Sequence, residues 1–169
     1  MEWTKERIHE INEAQRQFFH TGETLDVNWR IDKLIKLKIA MQTHQSELEH
    51  ALKEDLGRSD TEAYLCDIGS VILEIDEAIA GLKKWAAPET HFSGVLCFPS
   101  VITKVYKMPY GTTLIISPFN FPILLSLGVL TASIAGGNTA VIKASSKSVH
   151  CTEAMQKLIR DTFPENYVT

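Results

Sequence analysis

No charged side chain occurs between Lys107 and Lys143. A segment of that length without charge lies either in a bilayer or in the centre of a folded core. A membrane span asks for about 20 consecutive apolar residues in one helix. Pro109, Gly111, Pro118, Asn120 and Pro122 break the first half of the segment, and Gly136, Gly137 and Asn138 break the second. Such punctuation suits a solitary span poorly. The expectation is a core segment and no stable membrane insertion.

Cysteine is scarce too. The three present, Cys66, Cys97 and Cys151, are an odd and widely spaced set. That excludes a disulfide framework and points to a reducing, cytoplasmic compartment. No Cys-x-x-Cys or His-x-x-x-His cluster occurs, so no zinc site is expected. His9, His20, His44 and His50 read as surface histidines. An excess of positive charge is also missing. Lys plus Arg number 17 and Asp plus Glu 21, for a net charge of −4, which leaves no electrostatic footprint for nucleic acid. Met1 is followed at once by the charged WTKERIHE, so no signal peptide is expected.

What is present in the charge-free segment is a strand, a helix and a strand. Thr112 to Ile116 is a short β-branched run. From Pro122 to Ala135 the pattern is helical, with proline at the first turn and Gly136 past the end. Thr139 to Ile142 is a second apolar strand. Strands covered on both faces by helices are apolar throughout, so a parallel βαβ unit explains the missing charges.

In open α/β sheets, ligands bind beyond the carboxyl ends of the strands. Ser117-Pro118-Phe119-Asn120-Phe121-Pro122 occupies that place after the first strand. The Asn120 amide, on a backbone stiffened by two prolines, could donate to a developing negative oxygen, or Asn120 could simply cap the helix. Lys143 ends the second strand at the same edge. It either binds ribose hydroxyls or a phosphate, or marks where burial stops.

The runs PYGTTLIISPFNFP and LTASIAGGNTAVIKAS resemble the cofactor-binding core of aldehyde dehydrogenases. That family's order is Pro-x-Gly, a strand, Pro-Trp-Asn-(Phe or Tyr)-Pro, a helix, Ala-x-x-x-Gly-Asn and Lys-Pro-Ser-Glu. Upstream, DLGRSDTEAYLCDIG and KKWAAPE are similar to the class without an N-terminal arm, which includes the fatty and aromatic aldehyde dehydrogenases. The likeness covers nearly the whole chain.

The resemblance implies that Asn120 donates to the oxyanion of the tetrahedral intermediate. It implies that Ile116, Ser117, Pro118 and Phe119 line the nicotinamide-ribose pocket, and that Lys143 binds the adenosine ribose. Phe119 stands where the family usually has Trp, and Ala144 where it has Pro. Ser146 stands where a ribose-binding Glu is common. Without that carboxylate a 2'-phosphate meets no like charge, so the expected cofactor is NAD, with NADP tolerated. The substrate implied is an aliphatic or aromatic aldehyde, oxidised to the acid, and the implied assembly is a homodimer or other self-association.

The family's catalytic cysteine and general base follow the Lys-Pro-Ser-Glu motif. These 169 residues contain neither. The family reaction needs a thiolate to attack the aldehyde carbon and a base to activate water. Cys66 reads as a packed helical residue, Cys97 as part of a hairpin, and Cys151 as an incidental thiol in the first turns of the helix after Lys143, although helix N-termini lower thiol pKa. The chain is therefore expected to be the N-terminal, cofactor-binding part of an NAD(P)-dependent dehydrogenase, inactive alone. The alternatives are a truncated non-catalytic product that binds a partner or a nucleotide, and part of an acylating or semialdehyde-reducing relative.

The expected fold class is α/β: a helical layer, then a hairpin, then an incomplete Rossmann-like parallel unit. The expected divisions are 1–88 for the helical part, 89–110 for the hairpin or bridging segment, and 111–169 for the βαβ core, with a third strand beginning at Tyr167-Val168-Thr169. In the helical part, Thr4 to Phe19 places Ile8, Ile11, Gln15 and Phe18 on one face. A helix capped by Asp26 carries Leu34, Leu37, Met41, Leu48 and Leu52 and stops at Gly57. Ser59-Asp60-Thr61-Glu62 reads as a capping box. A third helix aligns Leu65, Ile68, Ile72, Ile75, Ile79 and Leu82 and closes before Pro88. In the hairpin, Leu96-Cys97-Phe98 and Val101 to Tyr106 read as strands around Pro99-Ser100. So few parallel strands make a poor sheet by themselves, and the chain is expected to fold marginally alone.

Overall fold

The computed structural model describes residues 3–92 and 102–169. Helix α1 is Lys5–His20, and Thr4 caps it by accepting from the Arg7 amide. Asp26 caps α2, Val27–Thr43, through the Asn28 amide. Helix α3 is Gln45–Leu56 and ends on Gly57 at φ 69°, a left-handed conformation that favours glycine. The expected helix from Asp26 to Gly57 is thus two helices. The chain turns at His44, whose φ −94° and ψ 8° leave the helical range.

Ser59 accepts from the Glu62 amide and starts α4, Asp60–Ala63. A π-helical stretch, Tyr64–Ile68, joins it to α5, Gly69–Trp85. A π turn inserts about one residue, which rotates everything before it by about 100° around the helix. That explains why Leu65 leaves the expected seam, whose other members stay at least partly buried. Leu65 is 65% exposed, while Ile68, Val71, Ile75, Ala78 and Leu82 are buried and Ile72 and Ile79 only partly so. Ile8 of α1 is likewise exposed, and Ile11 and Gln15 are the buried positions of that helix. The Gln15 amide donates to the carbonyls of Ala140 and Glu165, which ties α1 to the sheet.

Strands β1, Glu89–Phe92, and β2, Ile102–Val105, pair antiparallel. The expected strand Leu96-Cys97-Phe98 and its turn lie outside the described residues. The βαβ unit forms as expected. Strand β3, Thr112–Ile116, pairs parallel with β4, Thr139–Lys143, in a register that sets Ile116 against Lys143. Between them a π-helical stretch, Leu124–Gly128, runs into α6, Val129–Ala135. Val168 bridges to Ala140 on the other side of β4, also parallel, so a third strand begins where the sequence suggested. Helix α7, Val149–Thr162, packs against α3. One cluster of buried side chains runs from Leu34 to Val168 and joins the helical layer to the sheet.

The entry into β4 depends on Arg30, a buried arginine with no carboxylate partner among the described residues. Its guanidinium donates to the carbonyls of Thr24, Leu25 and Ala135, and burial lowers its pKa. Gly137, at φ 82°, lies directly beneath it: a Cβ there would sit 2.7 Å from Arg30 Cζ. No described helix is long and apolar enough to cross a membrane, and the described residues hold no cluster of metal-ligating side chains.

Candidate functional site

The residues singled out from sequence converge on the carboxyl edge of β3 and β4. Ile116 and Lys143 are register partners, and the Ser117 amide donates to the Lys143 carbonyl at 3.2 Å. Ile116, Pro118, Phe119, Asn120, Lys143 and Ser146 are all exposed. Ser117 is buried, with its hydroxyl 2.7 Å from the Ser126 hydroxyl. Only its backbone can face a ligand at this edge. Lys147 lies over the Phe119 ring, with Nζ 5.0 Å from the centroid, which links the loop after β3 to the loop after β4.

Asn120 does not cap the helix that follows. Among the described residues its side-chain amide has no hydrogen-bond partner, and only its carbonyl is engaged, by Arg58. The cap is Asp67, buried in the π-helical stretch before α5. Its Oδ1 accepts from the amides of Ile123 at 3.2 Å and Leu124 at 2.8 Å. Arg58 donates to the other oxygen of Asp67 and, at 2.9 Å, to the Asn120 carbonyl. Sequence reading missed this capping role. The separation of more than fifty positions between Asp67 and Leu124 leaves no local signal for it.

The start of α7 is closed in the same way. Asp55 accepts from the amides of His150 at 3.2 Å and Cys151 at 2.7 Å, and from the His150 ring at 2.8 Å. Both helix N-termini at this edge therefore spend free amides on carboxylates from the α3–α5 layer. Neither is left as the open anion cradle that such helix starts often form.

Cys151 is fully buried. Burial, and then the neighbouring Asp55 carboxylate, push its thiol well above the usual range. Both the loss of solvent and the negative charge of Asp55 oppose the activation that a helix N-terminus can give a thiol. Cys66 is partly buried and free. His44 is not a surface histidine. It is half-buried between Glu47 and Asp161, at 3.2 and 3.6 Å. His9, His20 and His50 are exposed.

The arrangement has close counterparts. The chain is 39% identical to 4,4'-diaponeurosporen-aldehyde dehydrogenase of Staphylococcus aureus over 90% of its own length and 33% of the relative's. It is 35% identical to aldehyde dehydrogenase family 3 member F1 of Arabidopsis thaliana over 94% of its length and 33% of that protein's. It thus spans about a third of the curated relatives it matches. A substrate-bound Staphylococcus aureus AldH superposes with a TM-score of 0.93 at 36% identity, covering 95% of this chain and 35% of that one. Two further structures share the Rossmann-like fold: a Thermus 1-pyrroline-5-carboxylate dehydrogenase with bound NAD and a Methanocaldococcus jannaschii glyceraldehyde-3-phosphate dehydrogenase with NADP. Their TM-scores are 0.82 and 0.80, at 23% and 22% identity, over 99% and 100% of this chain and 32% and 37% of theirs. The aldehyde dehydrogenase family pattern matches residues 1–169, and on the strength of that match, with the βαβ edge and its Asn-Phe-Pro turn in place, this chain belongs to the aldehyde dehydrogenase family.

Proposed function

We propose that this chain is the cofactor-binding portion of an NAD(P)-dependent aldehyde dehydrogenase, and that Asn120 is its contribution to the chemistry. The observation that carries the reading is the Asn120 amide. It is exposed at the carboxyl end of β3 and free of any partner among the described residues, while its carbonyl is fixed from behind by Arg58. Two N–H donors left free on a backbone fixed in this way are available to the negative oxygen of a tetrahedral carbon, the role in which a positioned amide is effective.

The residues present suit a dinucleotide. Lys143 is exposed at the end of β4 and offers three donors to ribose hydroxyls. The half-exposed Phe119 ring, with Ile116 and Pro118 beside it, gives an apolar wall for the nicotinamide ribose, and the Ser117 backbone completes it. With the starts of both helices at this edge occupied by Asp55 and Asp67, the fit is to ribose and ring, and the pyrophosphate would be met elsewhere. The cofactor when bound takes up hydride from the substrate. NAD is the expected partner and NADP is accommodated, because Ser146 places no carboxylate beside the adenosine ribose. The substrate class is an aliphatic or aromatic aldehyde, in keeping with the name of the Staphylococcus aureus relative. The thiol nucleophile and the water-activating base would come from outside these residues. We place the segment boundaries at 1–88, 89–110 and 111–169. The paired strands β1 and β2 expose Ile102 and Val105 and would meet a second subunit in a cytoplasmic dimer.

The test is Asn120→Ala in the complete dehydrogenase containing this segment. Loss of an oxyanion donor lowers kcat by about 100-fold or more. An unchanged kcat overturns the assignment.

A further inference from the structure

The pair Arg58 and Asp67 is the most deeply buried ionic contact among the described residues, with side chains 9% and 0% exposed. A buried pair of this kind adds little to stability over apolar residues of the same shape, because desolvation offsets the attraction. What distinguishes this one is where its remaining hydrogen-bonding capacity goes. Asp67 Oδ1 takes the amides of Ile123 and Leu124, and Arg58 Nη2 takes the carbonyl of Asn120. The guanidinium carbon also lies over Phe121, 4.7 Å from the ring centroid. Among the described residues, every side-chain hydrogen bond of Asp67 and Arg58 outside their own pairing therefore falls within the five residues from Asn120 to Leu124.

From this geometry we infer that Arg58 and Asp67 are positioning residues for Asn120, setting where its amide points rather than merely stabilising the fold. The inference rests on the reading of Asn120 as oxyanion donor. The peptide carrying Asn120 is fixed on two sides. The Arg58 bond holds its carbonyl inward, while the residue itself stays exposed at the edge of the sheet. Asp67 fixes the amides of Ile123 and Leu124, three and four residues later, so the turn cannot slide along the strand end. Pro118 and Pro122 restrict the backbone between, and the Ser126 hydroxyl lies 2.6 Å from the Pro122 carbonyl and closes the loop from below. Lysine could keep the charge of Arg58, but not the planar fork that spans Asp67 and the Asn120 carbonyl together.

The experiment is a double-mutant cycle in the complete dehydrogenase, with kcat, the KM for NAD and the melting temperature measured for Arg58→Lys and Asp67→Asn, each alone and with Asn120→Ala. Displacing a catalytic group slightly can cost as much as about 100-fold, so each single substitution is expected to lower kcat by about tenfold or more, with the KM for NAD within about threefold. In the Asn120→Ala background the same substitutions should change kcat by less than about twofold, because residues acting through one group are not additive. An undiminished effect in that background overturns the inference, as does a fall in melting temperature with kcat unaltered in the folded enzyme. Should Asp67→Asn fail to fold, Arg58→Lys, which keeps a cation beside Asp67, carries the same cycle. The underlying reading fails separately, if Asn120→Ala alone leaves kcat unchanged.

Discussion

The Asp55 carboxylate accepts a 2.7 Å hydrogen bond from the amide of Cys151 and so closes the first turn of α7. Asp55 comes from the end of α3, ninety-six positions earlier in the chain. The contact locks the helix after β4 onto the helical layer and decides the character of the thiol beside it. Replacing an N-cap carboxylate by alanine costs about 0.5–2 kcal/mol. Asp55→Ala should therefore lower the free energy of unfolding by an amount in that range, as urea unfolding would show.

Cys151 should be inert. Its burial and the adjacent carboxylate keep the thiol protonated, and thiolate is the reactive form. Thiol titration of the folded protein should find Cys151 unreactive at neutral pH, with reactivity appearing only on unfolding. In the complete dehydrogenase, Cys151→Ala should leave turnover within about twofold, the scale of a mutation that removes no catalytic interaction. Abolished turnover would make Cys151 the nucleophile after all. By the same reasoning this chain alone should form no NADH from an aldehyde, a result that absorbance at the nicotinamide band reads directly.

The Asp55–His150 contact also predicts a pH dependence. The hydrogen bond to Asp55 raises the His150 pKa above its ordinary value. For Asp55, burial opposes ionisation, but the bonds from Cys151 and His150 outweigh it and the net shift is downward. A raised histidine contributes stability that is whole below about pH 6.5 and is lost as pH rises through its folded value. A lowered aspartate contributes stability that is whole above about pH 3.9 and is lost as pH falls through its folded value. The joint contribution is thus greatest between those limits. The melting-temperature gap between the native chain and His150→Ala should narrow on passing from pH 6 to pH 8. A gap constant across that range would show that the contact carries no charge.

The sequence revealed what was local or periodic. Thr112 to Ile116 and Thr139 to Ile142 announced themselves as short uncharged apolar runs, a strand was expected to begin at Tyr167, and Asp26 and Ser59 were readable as the caps of the helices they precede. The turn at His44 escaped notice because Leu34, Leu37, Met41, Leu48 and Leu52 keep a helical rhythm across it, and a bend that preserves the rhythm leaves no mark in the pattern. The π turn at Tyr64–Ile68 escaped for the opposite reason, since an inserted residue changes the phase without changing composition. In the site, the order of Ser117, Pro118, Phe119, Asn120 and Lys143 was readable. The buried carboxylates that hold those loops, Asp55 and Asp67, were not, because their partners are distant in the chain and charged residues on helices usually face water.

Gly137 offers a direct test of how β4 is entered. Its φ of 82° is unfavourable for any side chain by about 1–2 kcal/mol. A Cβ would also displace the Arg30 guanidinium from its three carbonyl acceptors, at 2.7 Å from Cζ. Gly137→Ala should therefore destabilise the chain by more than the conformational cost alone. Gly57→Ala, where the φ is 69° and nothing lies within 4 Å of the added Cβ, should show only the conformational part. Equal losses at the two positions would mean that Arg30 yields freely.

Cofactor preference should turn on Ser146. It is exposed in the loop between β4 and α7, close in sequence to Lys143 and Lys147, and the loop residues 144–148 carry no acid. A 2'-phosphate at the adenosine ribose would meet cations and a neutral hydroxyl there. Like charges placed together discriminate more strongly than lost attraction, so a carboxylate at this position should select against the phosphate. In the complete dehydrogenase, Ser146→Glu should raise the Kd for NADP by about tenfold, equivalent to roughly 1.4 kcal/mol, and leave NAD bound as well or better. Isothermal titration with both nucleotides separates the cases. Native protein that binds NAD and rejects NADP would overturn the expectation at once, and an identical loss for both nucleotides in the variant would show that Ser146 shapes the loop and does not read the ribose.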